Sequence, residues 1–109
     1  MADFVLVYIT AGSVDEATRI GRALVEERLA ACANVIPSMH SIYRWDDAVQ
    51  EAEETILIAK TMSDRYVDLA MRVRALHSYD VPCILMLPVG AGDPDYLSWL
   101  RRGSRPAAA

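Results

Sequence analysis

Ser41-Ile42-Tyr43-Arg44-Trp45-Asp46-Asp47-Ala48-Val49, continuing as Gln50-Glu51-Ala52-Glu53-Glu54-Thr55-Ile56-Leu57-Ile58-Ala59-Lys60, decides how this chain folds. Ile42 alternates with the Tyr43/Trp45 pair, as in a strand with two different faces, and Asp46-Asp47-Ala48 supplies a hairpin turn. On the return, Glu51, Glu53 and Thr55 alternate against Gln50, Ala52 and Glu54, and then Ile56 to Ala59 becomes apolar throughout. One strand is therefore polar on both sides near the turn and buried at its far end. Such a hairpin overshoots its own core, where only another subunit could cover Tyr43 and Trp45.

Upstream, Ala31-Cys32-Ala33-Asn34-Val35-Ile36 reads as the first arm of the hairpin, and Pro37 requires that arm to be an edge strand, bulged or bent there. Phe4 to Ile9 is a continuous apolar run, suited to a central strand covered on both faces. Between the two, Ser13 and Glu16 form a capping box, and Ala17, Ile20 and Leu24 recur at helical spacing. This helix is predicted to end near Leu29 or Ala30. Downstream, Ser63 and Asp64 start a second helix with the stripe Tyr66, Leu69, Val73 and Leu76. His77-Ser78-Tyr79-Asp80 is a loop, and Cys83 to Leu87 is a fourth strand. Asp93 with Pro94 opens a short helix in which Tyr96 and Trp99 are predicted core residues. Beyond Arg102 the spacing predicts no order, so one domain over 1–109 is expected to be ordered from about 3 to 102.

The order β-α-β-β-α-β plus a terminal helix is the split βαβ pattern of the ferredoxin-like fold, an α+β sandwich with a long hairpin. Two helices cover one face of a four-stranded sheet. The apolar strands leave the other face uncovered, and copies packed sheet-inward would bury it at about 25 cal/mol per Å² of apolar area. Periodicity does not set the number of copies.

Composition narrows the function. Among 109 residues, 15 acidic and 11 basic side chains give a net charge of −4, which repels a phosphate backbone. The one dense basic run, Arg101, Arg102 and Arg105, sits in what reads as a frayed tail, so no nucleic-acid partner is expected. The apolar runs fall far short of the ~20 residues that cross a membrane. Asp3 leads straight into the first strand without a basic leader, and two cysteines fit free thiols in a reducing cytosol. Both points indicate a cytoplasmic protein with no membrane partner.

Leu29-Ala30-Ala31-Cys32-Ala33-Asn34-Val35-Ile36, Tyr43-Arg44-Trp45, the block Tyr79 to Pro88, and Gly92 to Leu100 together resemble the CutA1 family of divalent-cation tolerance proteins. The resemblance runs from about Val5 to Leu100. It implies a ferredoxin-like subunit in a stable PII-like homotrimer, with the hairpin reaching across to neighbours. It also implies a role in tolerance of copper and other divalent cations, and a cleft between subunits. By motif, Tyr43, Trp45, Lys60, His77 and Tyr79 fall on the cleft positions. This chain departs from the family's pattern with Cys83 in place of a Glu, Ser78 in place of a Pro, and Asp47 in place of a turn Gly. A thiol at 83 favours a softer metal than a carboxylate would.

Cys32, Cys83 and His77 are the candidate metal ligands, with copper or another divalent cation as the possible guest and no cofactor required. A buried cysteine also serves as a small hydrophobe, and a histidine after a helix end as a cap. Met39, His40 and Met86 add soft donors, but no pair has structural-zinc spacing. Asp93 and Asp95 read as helix-start carboxylates, and Glu51, Glu53 and Glu54 as a solvated edge. No phosphate loop, nucleophile elbow or nucleophile–base pair is present, so no enzyme is expected. Three readings follow: a metal-responsive trimer, a PII-like trimer that binds a small anionic metabolite through Lys60 and His77, and a structural trimer with a protein partner.

Overall fold

The computed structural model describes residues 3–106. Met1-Ala2, used in the reading of the leader, and the last three residues of the tail lie outside the described residues. The elements are β1 (Phe4–Ala11), α1 (Val14–Glu26), β2 (Cys32–Trp45), β3 (Ala48–Met62), a 3₁₀ turn (Ser63–Arg65), α2 (Tyr66–Leu76), β4 (Ile84–Pro88) and α3 (Pro94–Gly103). The sheet order is β2-β3-β1-β4, with every neighbouring pair antiparallel. This is the ferredoxin-like β-α-β-β-α-β topology with a C-terminal helix.

Cross-strand partners share a face of the sheet. Val7 pairs with Ala59 and Ile9 with Leu57, and these residues are buried under Ala17, Ile20 and Leu24 of α1 and Leu69 and Val73 of α2. Leu6, Tyr8, Ile56 and Ile58 have the opposite parity and are only partly buried, while Leu85 and Leu87 beside them on β4 are exposed. The run Phe4–Ile9 is therefore covered on one face only within the chain, because α1 and α2 lie on the same side. At the Phe4 end of the open face, the Arg101 guanidinium of α3 lies 5.0 Å from the Phe4 ring centre.

Pro37 has the predicted effect. β2 is an edge strand, its pairing register shifts between Ile36 and Met39, and Ser38 takes φ 66° within that bulge. The turn is tight. Asp46 and Asp47 have φ 50° and 61°, the two-residue turn that matches strand twist. The hairpin draws the molecule out to 47 × 29 × 22 Å.

Four expectations need correction. α1 stops at Glu26, because Arg28 adopts φ 59° and the amides of Leu29 and Arg28 return to the carbonyls of Leu24 and Val25. These bonds form a Schellman stop, in which Arg28 occupies the position glycine usually takes. β4 begins at Ile84 and excludes Cys83, which falls opposite Thr10, where the His77 ring takes the Thr10 carbonyl instead.

The basic tail is built into the fold. Ser104 is buried, Arg105 binds Asp64 at 2.9 Å, and the Arg28 guanidinium donates to the carbonyls of Arg105 (2.6 Å) and Arg102 (2.8 Å). These partners are far away in sequence, so local composition could not announce them. Finally, Tyr96 and Trp99 are 42% and 45% exposed, because α3 turns Leu100 inward instead and leaves the two rings packed on each other.

Candidate functional site

The polar end of the hairpin and the loop between α2 and β4 enclose a cavity of about 470 Å³, lined by Thr10, Tyr43, Arg44, Trp45, Glu54, Tyr79, Asp80, Val81 and Cys83. Strand parity explains how several of these meet. Tyr43 pairs with Gln50, Trp45 with Ala48 and Thr10 with Ile56, which puts all three on the open face together with Glu54. Tyr79 comes from the loop and donates its hydroxyl to Glu54 Oε2 at 3.0 Å. Burial, together with that bond, pushes the phenol up to about 12, so Tyr79 stays a neutral donor. Burial and the nearby Glu54 charge also push the Cys83 thiol up, which keeps it protonated at neutral pH.

His77 fixes the loop. Its Nε2 lies 2.7 Å from the Thr10 carbonyl, which can only accept, and its Nδ1 lies 3.0 Å from the Tyr79 amide, which can only donate. The ring is thereby held in the neutral Nε2–H tautomer. It also packs on the Tyr79 ring, with centroids 4.6 Å apart.

Glu16 braces the same loop from α1. The Ser13 side chain accepts from the Glu16 amide at 3.1 Å, which is half of the predicted capping box. The Glu16 carboxylate turns elsewhere, accepting from the amides of Gly12 (3.2 Å) and Ser78 (2.8 Å). Burial alone would raise its pKa, but the hydrogen bonds from Ser78 and Gly12 outweigh it and hold the carboxyl below its ordinary value.

Of the expected cleft residues, Tyr43, Trp45 and Tyr79 therefore meet in one cavity, with His77 directly behind. Lys60 does not join them in one subunit. It lies six residues along β3 from Glu54, about 20 Å away at ~3.3 Å per residue. There its ammonium reaches the Tyr96 hydroxyl at 3.4 Å and sits 5.6 Å from that ring centre.

The candidate metal ligands are also dispersed. Cys83 lines the cavity. Cys32 lies on the opposite edge strand β2, next to Lys60 of β3, at least three strand spacings or about 14 Å away. His77 uses both ring nitrogens internally. Among the described residues, no three His, Cys, Asp or Glu side chains gather as a metal site.

Sequence reasoning missed Glu54, Asp80 and Thr10. Glu54 was grouped with its exposed neighbours, although its even-numbered parity, shared with the apolar Ile56 and Ile58, could have separated it from Glu51 and Glu53.

A match to the family described as CutA1 divalent ion tolerance protein covers residues 5–103. The chain belongs to the CutA1 family. It is 48% identical over 99 residues to the divalent-cation tolerance protein CutA of Thermus thermophilus, covering 91% of this chain and 96% of that protein. A solved structure of the divalent cation tolerance protein from Thermus thermophilus superposes with a TM-score of 0.91 at 46% identity, covering 94% of this chain and 99% of the other. CutA1 from Oryza sativa superposes with a TM-score of 0.93 at 35% identity, with 97% of each chain covered. The general function is that of the CutA1 family, divalent-cation tolerance.

Proposed function

We propose that this CutA1 protein acts as a homotrimer in tolerance of copper and other divalent cations, holding the cation in clefts between subunits. The open face of the sheet carries this reading. Leu85 is 57% exposed with Leu87 exposed next to it on β4, and Ile36 is exposed on the same face at the opposite edge, on β2. Its burial against other copies is favourable by about 25 cal/mol per Å² of apolar area. Assembly also offers Lys60 of one subunit a route to the cavity of another, which it cannot reach within its own chain.

At the cleft, Cys83 and Glu54 are the donors on offer, a thiol and a carboxylate suited to a cation. Cys32 and His77 would contribute only if a neighbour or a change of tautomer completed the set. An anionic metabolite, the alternative guest, would meet the carboxylates of Glu54 and Asp80 before any lysine. A cytoplasmic location fits Cys32 and Cys83, which are free thiols.

The test is light scattering followed by anaerobic calorimetric titration of the reduced protein with Cu(I), Cu(II) and Zn(II). The expected mass is three times the 12.1 kDa chain, and the expected Kd is below about 10 µM, weakened in Cys83→Ser. A monomer would remove the clefts. A trimer with no affinity for any of the three ions would remove the cation site.

A further inference from the structure

The lining of the cavity suits a kind of cation that metal tolerance does not cover. Three aromatic side chains, Tyr43, Trp45 and Tyr79, surround it, and the carboxylates of Glu54 and Asp80 outnumber the single guanidinium of Arg44. We infer that this cavity binds a small organic ammonium ion, with the aromatic rings against its apolar body and Glu54 against its N–H donors. The inference rests on the cavity being the protein's cation site and narrows the class of guest it accepts.

The chemistry is specific at each part. Aromatic rings attract a cation within ~6 Å of their centres, most strongly where water is excluded, and Trp does so best. Tyr79 occupies Glu54 Oε2, and among the described residues no side chain bonds Oε1, which is left to accept from an ammonium hydrogen. The Tyr79 hydroxyl holds the carboxylate in place by that bond. About 470 Å³ falls within the size of ordinary small-molecule sites and exceeds what a bare metal ion needs. The Tyr79 backbone is itself held by His77 Nδ1, so the aromatic wall is set before any guest arrives.

The discriminating experiment is isothermal titration of the assembled full-length protein with phenethylamine, protonated at pH 7, and with its neutral analogue 2-phenylethanol. Phenethylamine is expected to bind at least about tenfold more tightly than the alcohol and to weaken as salt is raised. Glu54→Gln should reduce the preference for the amine to about threefold or less, and Trp45→Leu should weaken the amine about tenfold. Asp80→Asn, on the exposed loop, provides a second charge test if Glu54→Gln fails to assemble. Equal affinities for amine and alcohol would overturn the inference. So would binding of Cu(II) without binding of the amine, although that outcome leaves the cation-site reading intact. If neither ion nor amine binds, both readings fall together.

Discussion

Tyr79 donates its hydroxyl to Glu54 Oε2 at 3.0 Å, and these residues come from the α2–β4 loop and from β3, 25 positions apart. The bond closes one wall of the cavity and ties the hairpin to the loop. It also sets the titration of the phenol. The neutral form is favoured in the folded state, so its contribution to stability is complete below the ordinary phenol range, near pH 10, and is lost as pH rises toward about 12. Tyr79→Phe should therefore flatten the loss of stability between those values, and alkaline difference spectra should lose the last tyrosine to ionise. A tyrosine titrating near pH 10 at this position would show that the bond does not persist in solution.

Glu16 is only 6% exposed, and its carboxylate accepts amide hydrogens from two segments. With the folded pKa depressed, its stabilisation is present above the ordinary Glu range and disappears as pH falls through the folded value. Glu16→Gln replaces one accepting oxygen with a donor and should cost about 1–3 kcal/mol in urea unfolding at pH 7. The difference from wild type should shrink on acidification. A constant difference down to pH 2 would mean that the charge contributes nothing.

Gly103 ends α3 against the start of the hairpin. A Cβ there would lie 2.7 Å from the Ala31 side chain and 3.2 Å from its Cα, so backbone must move. Gly103→Ala should destabilise by about 1–3 kcal/mol and loosen the tail clasped by Arg28 and Asp64. Thermal unfolding, with hydrogen exchange across residues 94–105, would register both effects. Unchanged melting would place the helix end farther from Ala31.

The hairpin turn holds Asp46 and Asp47 at positive φ, where only glycine is free of strain. Asp47→Gly should raise stability by about 0.5–1 kcal/mol, the strain relieved less the added entropy of the unfolded chain. The melting temperature should rise while the assembled mass stays the same. A lower melting temperature would point to a role for the Asp47 carboxylate.

The strand and helix order was legible because period 2 and period 3.6 are local properties of the chain, and so were the capping residues Ser13 and Asp93, which bond the amides of Glu16 and Tyr96. The bulge at Pro37 was legible for the same reason, since a missing N–H is a property of one residue. Tyr43, Trp45 and Tyr79 were named as a group by family likeness, while Glu54 passed as one of a run of surface acids.

From the linear chain alone come the topology, the overshooting hairpin and the surplus of apolar strand surface, each written in neighbouring residues. Only the folded arrangement decided that Glu54 belongs to the cavity and Lys60 does not, that His77 spends both nitrogens on Thr10 and Tyr79, and that the arginine-rich end is clasped rather than loose. Those outcomes depend on register and on hydrogen bonds spanning up to 77 positions, whose geometry exists only once the sheet has closed.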